Sequence, residues 1–273
     1  MIRMLAVDLD ETLLRSDKTI SAYTQEVLNK ACAEGIRIVF ATARPYRVVG
    51  QYLKQVQCAA VICHNGAVTF ADGQKTGKCY GIPIVEAAGI LRILQERHPE
   101  KRLSVEINDR IYANFDVTAV WGKTKEDIEV LKASTVRTDF HDLPDMDADK
   151  VLVEICSDKE HEEVKSLLPP DLYTLLSDNG KLCVIMNKKA TKFNAIRCMA
   201  EQWGIPVSDI AAFGDDYNDI EMIRQCGIGV AMGNAVDEAL AAADAVTDTN
   251  NNDGVAGFIV KEILAPDRRG RDL

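Results

Sequence analysis

The sequence predicts an α/β protein: a three-layer core built on a parallel sheet, interrupted once by an inserted α+β domain. Three observations carry this. Apolar runs of strand length alternate with helical stretches over about the first 65 residues and again after about residue 190, the pattern of parallel strands joined by right-handed crossovers. Between those stretches the rhythm changes to hairpins. Finally, each longer core run ends in glycine or polar residues, and open parallel sheets bind ligands beyond the carboxyl ends of their strands.

The elements follow in order. Met4–Val7 has the length and apolar character of a buried strand, and Asp8 and Asp10 stand where it stops. Side chains two apart on an extended chain share a face, about 6–7 Å apart along the strand. Ser21 is placed to cap a helix to about Ala33, with Val27, Leu28, Ala31 and Cys32 on one face and Gly35 beyond its end. Ile36–Ala41 reads as a strand, Pro45–Gln55 as a helix with proline near its first turn, and Ala59–Cys63 as a strand closed by His64-Asn65-Gly66. Val68–Ala71 and Lys78–Ile82 flank Asp72-Gly73, a hairpin signal. Glu86–Arg97 is an amphipathic helix, and Leu103–Ile107 and Ile111–Asn114 flank a turn at Asn108-Asp109-Arg110. Val151–Cys156, Glu160–Leu168, Leu172–Ser177 and Leu182–Met186 read as strand, helix, strand, strand. Hairpins with two helices make residues 83–187 the insert and leave 1–82 and 188–273 as the core.

The parallel rhythm then resumes. Thr191–Trp203 is a helix ended by Gly204, Ile210–Phe213 a strand, and Tyr217–Gln225 a helix before Gly227. Ile228–Ala231 is a strand, Ala235–Ala242 a helix, Ala245–Val246 a short strand and Val255–Leu264 the last helix. The polar tail from Pro266 to Leu273 is expected to be loose.

At 273 residues the chain has room for two domains, and its 47% apolar and 27% charged residues are those of an ordinary globular protein. The net charge of −10 opposes loose binding to nucleic acid or to an anionic membrane surface, so neither is expected as a partner. No apolar run approaches the ~20 residues of a membrane span, and no signal peptide is visible. The eight cysteines (32, 58, 63, 79, 156, 183, 198 and 226) are scattered without a C-x-x-C pair, which reads as reduced thiols in a cytoplasmic protein. A monomer or small homo-oligomer is expected.

The strand ends deliver a concentrated set of groups. The first gives Asp8 and Asp10, the second Thr42, Ala43 and Arg44, the third Asn65 and Gly66, and the strand at 210–213 gives Gly-Asp-Asp-Tyr-Asn-Asp over 214–219. Turn chemistry explains any one of these and helix capping one or two of the aspartates, but neither explains the whole set. With Asp8 and Asp10, the carboxylates at Asp215 and Asp219 form an oxygen-rich group suited to Mg²⁺. Two unit charges 4 Å apart at an effective dielectric of 20 repel by about 4 kcal/mol, so a phosphate approaching such a cluster requires a cation. Lys192, at the start of the helix after the insert, is placed to help, with Lys188 and Lys189 as neighbours.

These residues together resemble the haloacid dehalogenase superfamily of phosphotransferases, and within it the Cof-type (subfamily IIB) phosphatases. The matching pieces are Asp8-Leu9-Asp10-Glu11-Thr12-Leu13-Leu14, Ala41-Thr42-Ala43-Arg44, Asn65-Gly66-Ala67, Lys192, and Gly214-Asp215-Asp216-Tyr217-Asn218-Asp219. Val230 to Ala235 and Asn252 to Val255 also match. The resemblance implies a Rossmann-like core with a cap inserted at 83–187 that selects the leaving group. It further implies an aspartyl phosphate formed on Asp8, with Asp10 as proton donor and then acceptor. Mg²⁺ would be held by Asp8, the backbone carbonyl of Asp10 and Asp215, with Asp219 behind them. Thr42 and Lys192 would hold the phosphoryl oxygens, and Arg44, Asn65, Gly66 and Asn218 would line the phosphate or leaving-group side. The double role of Asp10 requires a proton on it when substrate arrives, expected from a neighbouring carboxylate and a partly closed site, while the metal keeps Asp8 ionised. Glu11 and Phe193 stand where glycine is usual.

The function expected is therefore Mg²⁺-dependent hydrolysis of small phosphomonoesters, such as sugar phosphates or phosphorylated cofactors and nucleotides. A phosphohexomutase-like phosphotransferase is the alternative. A non-enzymatic receiver-type module is disfavoured, since it lacks an insert and carries its phosphoacceptor on a middle strand, here expected to end in Thr42.

Overall fold

A computed structural model describes residues 1–76 and 80–265. The chain forms two compact units, Met1–Lys78 with Thr191–Leu273, and Cys79–Ala190. In chain order the first unit opens with β1 (Met4–Val7), α1 (Ala22–Ala33), β2 (Arg37–Ala41), α2 (Tyr46–Leu53), β3 (Ala60–Cys63), β4 (Val68–Ala71) and β5 (Gln74–Lys75). The second holds α3 (Ile84–Arg97), β6 (Leu103–Ile107), β7 (Arg110–Ala113), α4 (Val117–Trp121), α5 (Lys125–Ser134), β8 (Thr135–Arg137), β9 (Lys150–Glu154), α6 (Asp158–Ser166), β10 (Leu172–Ser177) and β11 (Leu182–Asn187). The first unit closes with α7 (Lys192–Gln202), β12 (Ile210–Gly214), α8 (Ile220–Gln225), β13 (Ile228–Ala231), α9 (Asp237–Ala242), β14 (Ala245–Val246) and α10 (Gly254–Phe258).

Among the described residues of the first unit, eight strands lie in the order β14-β13-β12-β1-β2-β3-β4-β5. All pairs from β14 to β3 are parallel, and β4 and β5 add an antiparallel margin. All four residues of β1 are fully buried, as a strand covered on both faces must be. Met4, Ala6, Val39, Ala41, Ala60 and Ile62 pack against Ala195, Ile196 and Met199 of α7. On the opposite side Phe213 meets Phe258 of α10 edge-on, with ring centroids 5.6 Å apart. The predicted three-layer α/β core is the fold observed.

The register places the site. Val7 is level with Phe213 on one side and Phe40 on the other, so Asp8 stands level with Gly214 and Ala41, the last residues of β12 and β2. β1 and β2 share the middle of the sheet, so Asp8 as well as Thr42 leaves a middle strand. The expectation that only Thr42 would do so is corrected, and strand position does not argue against a receiver.

In the second unit six strands run β10-β11-β9-β6-β7-β8, antiparallel except for the β7–β8 pair. Leu103, Val105, Ile107, Val151, Val153, Cys183 and Ile185 pack on one face with Ile90, Leu91 and Leu94 of α3 and Val164 of α6. Among its described residues the unit holds four helices where the sequence suggested two. α5 has no fully buried residue, and only Ile128 and Leu131 turn partly inward, a narrow stripe; a capping box between Thr124 and Asp127 defines its start. α4 spans five residues, capped by Asp116.

The hairpin at Asp72-Gly73 turns with φ of 51° and 73° and returns at once as Gln74–Lys75, not as Lys78–Ile82. Lys78 and Cys79 of that expected strand lie outside the described residues, as does the tail from Pro266, while Ile82 forms a single bridge to Ala148. Among the described residues no helix is long and apolar enough to cross a membrane.

Candidate active site

Asp8 follows β1 in extended conformation, its N–H bonded to the Phe213 carbonyl at 3.0 Å, and is buried. The chain then makes a wide turn: Leu13 N–H returns to the Asp8 carbonyl at 3.2 Å and Leu14 N–H to that of Leu9 at 2.7 Å. Glu11 takes φ 55° there, a left-handed conformation that explains why glycine suits the position. Glu11 is tethered instead: Lys18 Nζ donates to its Oε1 at 2.9 Å, Asn250 Nδ2 to its Oε2 at 3.1 Å and Asn234 Nδ2 to its carbonyl at 2.8 Å.

Lys192 opens α7 behind the N-cap Thr191, whose hydroxyl accepts from Asn194 N–H. Its ammonium is 1% exposed and donates to Asp8 Oδ1 and Asp219 Oδ1, each at 2.6 Å. Phe193 packs into the core. Lys188 Nζ donates to the Pro170 carbonyl instead, and Lys188 and Lys189 belong to the other unit. Two glycines permit the approach. A Cβ on Gly66, φ 109°, would lie 2.2 Å from the Thr191 carbonyl oxygen, so the 64–66 turn packs directly on the start of α7. A Cβ on Gly214 would lie 2.4 Å from Asp219 Cβ.

Asp219 is fully buried and divides its oxygens. Oδ1 accepts from Lys192, and Oδ2 accepts from the Asp215 and Asp216 N–H groups at 3.1 and 3.2 Å. Thr12 Oγ1 donates to Asp215 Oδ1 at 2.7 Å. Asp8, Asp215 and Asp219 each offer a carboxylate oxygen within 4.8 Å of the others. The Asp10 carboxylate is not part of this group. Burial raises the Asp8 carboxyl well above its usual value; Lys192 opposes that shift, and Asp219 and Asp215 reinforce it. Burial likewise lifts Asp215 to about 6, with Thr12 opposing and Asp219 and Asp216 adding. Burial by itself would lower Lys192, but Asp219 and Asp8 outweigh it and hold the ammonium charged. One lysine among three carboxylates leaves excess negative charge, and an all-oxygen donor set fits a hard divalent cation such as Mg²⁺.

Asp10 differs from the expectation. Arg44 Nε donates to its Oδ2 and Arg44 Nη2 to its Oδ1, both at 2.6 Å, and Lys18 Nζ adds a contact at 3.1 Å. Burial pushes its pKa up, but Arg44 and then Lys18 outweigh that, and the carboxyl is held below its ordinary value. The expected rise in the Asp10 pKa is therefore corrected: its carboxyl is held low. The cause is the arginine fork, with Lys18 beside it, which together outweigh burial.

Thr42 is buried beside these groups, its hydroxyl accepting from Arg44 N–H at 3.1 Å and its carbonyl from Asn65 N–H at 3.0 Å. Asn218 Nδ2 donates to Asn65 Oδ1 at 3.0 Å, joining the ends of β3 and β12. His64 is buried with φ 49°. Sequence reasoning assigned no role to Thr12 or Lys18. Thr12 stands within the acidic run and could have been weighed as a donor to a strand-end aspartate. Lys18 gave no signal, since its reach depends on a left-handed turn, φ 63°, that folds it back over Asp10.

Residues 5–259 match the model of the haloacid dehalogenase-like hydrolase family. A putative phosphatase of Haemophilus influenzae is 31% identical over 265 residues, covering 94% of this chain and 96% of its own. A 5-amino-6-(5-phospho-D-ribitylamino)uracil phosphatase of Bacillus subtilis is 27% identical over 266 residues, covering 94% and 96%. A solved structure of a subclass IIB sugar phosphatase superposes with a TM-score of 0.74 at 25% identity, covering 94% of this chain and 98% of that one.

Proposed function

The chain belongs to the haloacid dehalogenase-like hydrolases and is a phosphatase of that family; on that premise we propose that it hydrolyses small phosphomonoesters, with Mg²⁺, through an aspartyl phosphate on Asp8. The relatives support substrates of that size, one named for a ribitylaminouracil phosphate and one for sugar phosphates. The observation that carries the mechanism is Asp8 itself: buried, at the end of a central strand, with Lys192 2.6 Å from one oxygen.

Asp8 attacks phosphorus as the bond to the leaving oxygen breaks, and Asp10 delivers a proton to that oxygen. Water then attacks the phosphoaspartate, Asp10 takes up its proton, and inorganic phosphate leaves with Asp8 restored. When bound, Mg²⁺ neutralises phosphate charge; Asp8, the Asp10 carbonyl and Asp215 are the groups assigned to hold it. Asp219 has both oxygens engaged, which suits positioning Lys192 and the 215–216 loop rather than holding the ion. Thr42 and Lys192 are assigned to the phosphoryl oxygens, and Arg44, Asn65, Gly66 and Asn218 to the substrate side. The Arg44 fork keeps Asp10 ionised, as the base half of the cycle requires. The acid half requires a proton on Asp10, and an anionic substrate that draws the guanidinium away supplies that change.

The test is a panel of phosphorylated metabolites with Mg²⁺, scored by phosphate release, beside Asp8→Asn. The variant should fold and release no phosphate; retained turnover would sink the mechanism. A sugar 1-phosphate in the panel separates hydrolysis from transfer, since a mutase returns the 6-phosphate or bisphosphate.

A further inference from the structure

The second unit contains a cavity of about 190 Å³ that none of the roles above uses. Its floor follows from strand alternation. Leu103, Val105 and Val153 face the helix-covered core, so their neighbours Ser104 and Leu152, paired across β6 and β9, face the other way, and both line the cavity. Leu182 joins them from β11, opposite Glu154. Trp121 of α4 forms one side, its indole plane set by Phe115 edge-on at a centroid distance of 5.4 Å.

Ser104 is the informative residue. It is 1% exposed, and its Oγ has no hydrogen-bond partner among the described residues. A buried hydroxyl without a partner is costly, and one that lines a cavity can be satisfied by what enters it. The charges on the lining cancel: Arg102 and Lys181 against Glu154 and Asp178, with Arg102 Nη1 already 3.1 Å from Glu154 Oε1. An ion of either sign therefore gains little. About 150 Å³ is enough for benzene in an engineered protein cavity, so this one admits a single ring with polar substituents or a small fused pair. The cavity also lies at the Leu103–Glu154 end of the strands. The opposite end, where Glu106 pairs with Lys150, adjoins Ala148, which bridges Ile82 where the chain enters the unit.

We propose that this cavity binds an uncharged planar heterocycle, resting on the apolar floor beside Trp121 and hydrogen-bonded at one edge to Ser104 Oγ. The ring can belong to a phosphorylated substrate or to a separate ligand; the chemistry recognised is the same. Binding does not depend on the phosphatase reading.

Tryptophan fluorescence in a Trp203→Phe background, which leaves Trp121 as the reporter, tests it with uracil, adenine and nicotinamide as probes and glucose as the non-planar control. At least one planar probe should saturate with Kd below about 1 mM. Ser104→Ala should weaken that probe about tenfold without lowering Tm, since the change removes an unmatched buried hydroxyl. If none of the three saturates, if glucose matches them, or if Ser104→Ala binds equally well, the proposal is wrong. With the probe bound, its nucleoside 5′-phosphate identifies the source. A KM raised by Ser104→Ala at unchanged kcat means the ring is part of the substrate; an unchanged KM, or no turnover, means a separate ligand.

Discussion

Arg44 grips Asp10 with two prongs, Nε to Oδ2 and Nη2 to Oδ1, each 2.6 Å long. The group assigned to carry the catalytic proton is thus held ionised by its neighbour. Arg44→Ala should raise the Asp10 pKa toward the ordinary carboxylate value, read by carboxyl carbon NMR. Because the folded pKa is the lowered one, the stability this pair contributes is present above the unfolded value of about 3.9 and is lost as pH falls through the folded value. The stability gap between wild type and variant should therefore close in acid. It should be small even at neutral pH, since the carboxylate is 39% exposed and screened by solvent.

Lys192→Met leaves Asp8 and Asp219 buried without their shared cation. The metal-free variant should lose about 3–5 kcal/mol of stability in denaturant titration, the usual cost of orphaning a buried charge. Its kcat should fall by about 10²–10³, as expected for loss of one donor to the transferring group.

Asp215 sets the acid side of metal dependence. With its carboxyl at about 6 in the metal-free protein, protons compete with Mg²⁺ below that pH. The stabilisation given by a fixed Mg²⁺ concentration should shrink between pH 7.5 and 5.5, and Asp215→Asn should abolish both the stabilisation and its pH dependence. For metal-free protein the sign is opposite. The folded pKa is raised, so this group's contribution to stability is full below the unfolded value and is lost as pH rises through about 6.

Gly66→Ala tests how the lysine is aimed. The new Cβ would meet the Thr191 carbonyl at 2.2 Å in a backbone conformation that alanine resists. A stability loss of at least about 2 kcal/mol and a fall in kcat are expected; wild-type behaviour in both would show that the contact does not position Lys192.

The core was legible because its strands are buried on both faces and read as unbroken apolar runs, Met4–Val7 above all. The strand-end groups were legible because a parallel sheet gathers them at one edge. Two kinds of feature were hidden. α5 has no fully buried residue and turns only a narrow face, Ile128 and Leu131, toward the core, so its sequence carries a weak stripe. The Arg44–Asp10 pair joins residues 34 apart through a geometry that spacing does not encode, so the lowered Asp10 pKa is not legible in the sequence. The strand after Asp72-Gly73 is hidden because a two-residue turn returns at once and its partner strand, Gln74–Lys75, is polar and short.

The place of β1 bears on how the protein is made. Its neighbours are β2, synthesised about thirty residues later, and β12, synthesised about two hundred residues later. At about 5–20 residues per second the ribosome takes roughly 10–40 s to reach β12. Throughout that interval one edge of a wholly apolar strand lacks its final partner, and for most of it Asp8 lacks its lysine. The nascent chain therefore passes through a period of exposure to aggregation and chaperone capture that ends only when the last third of the protein emerges.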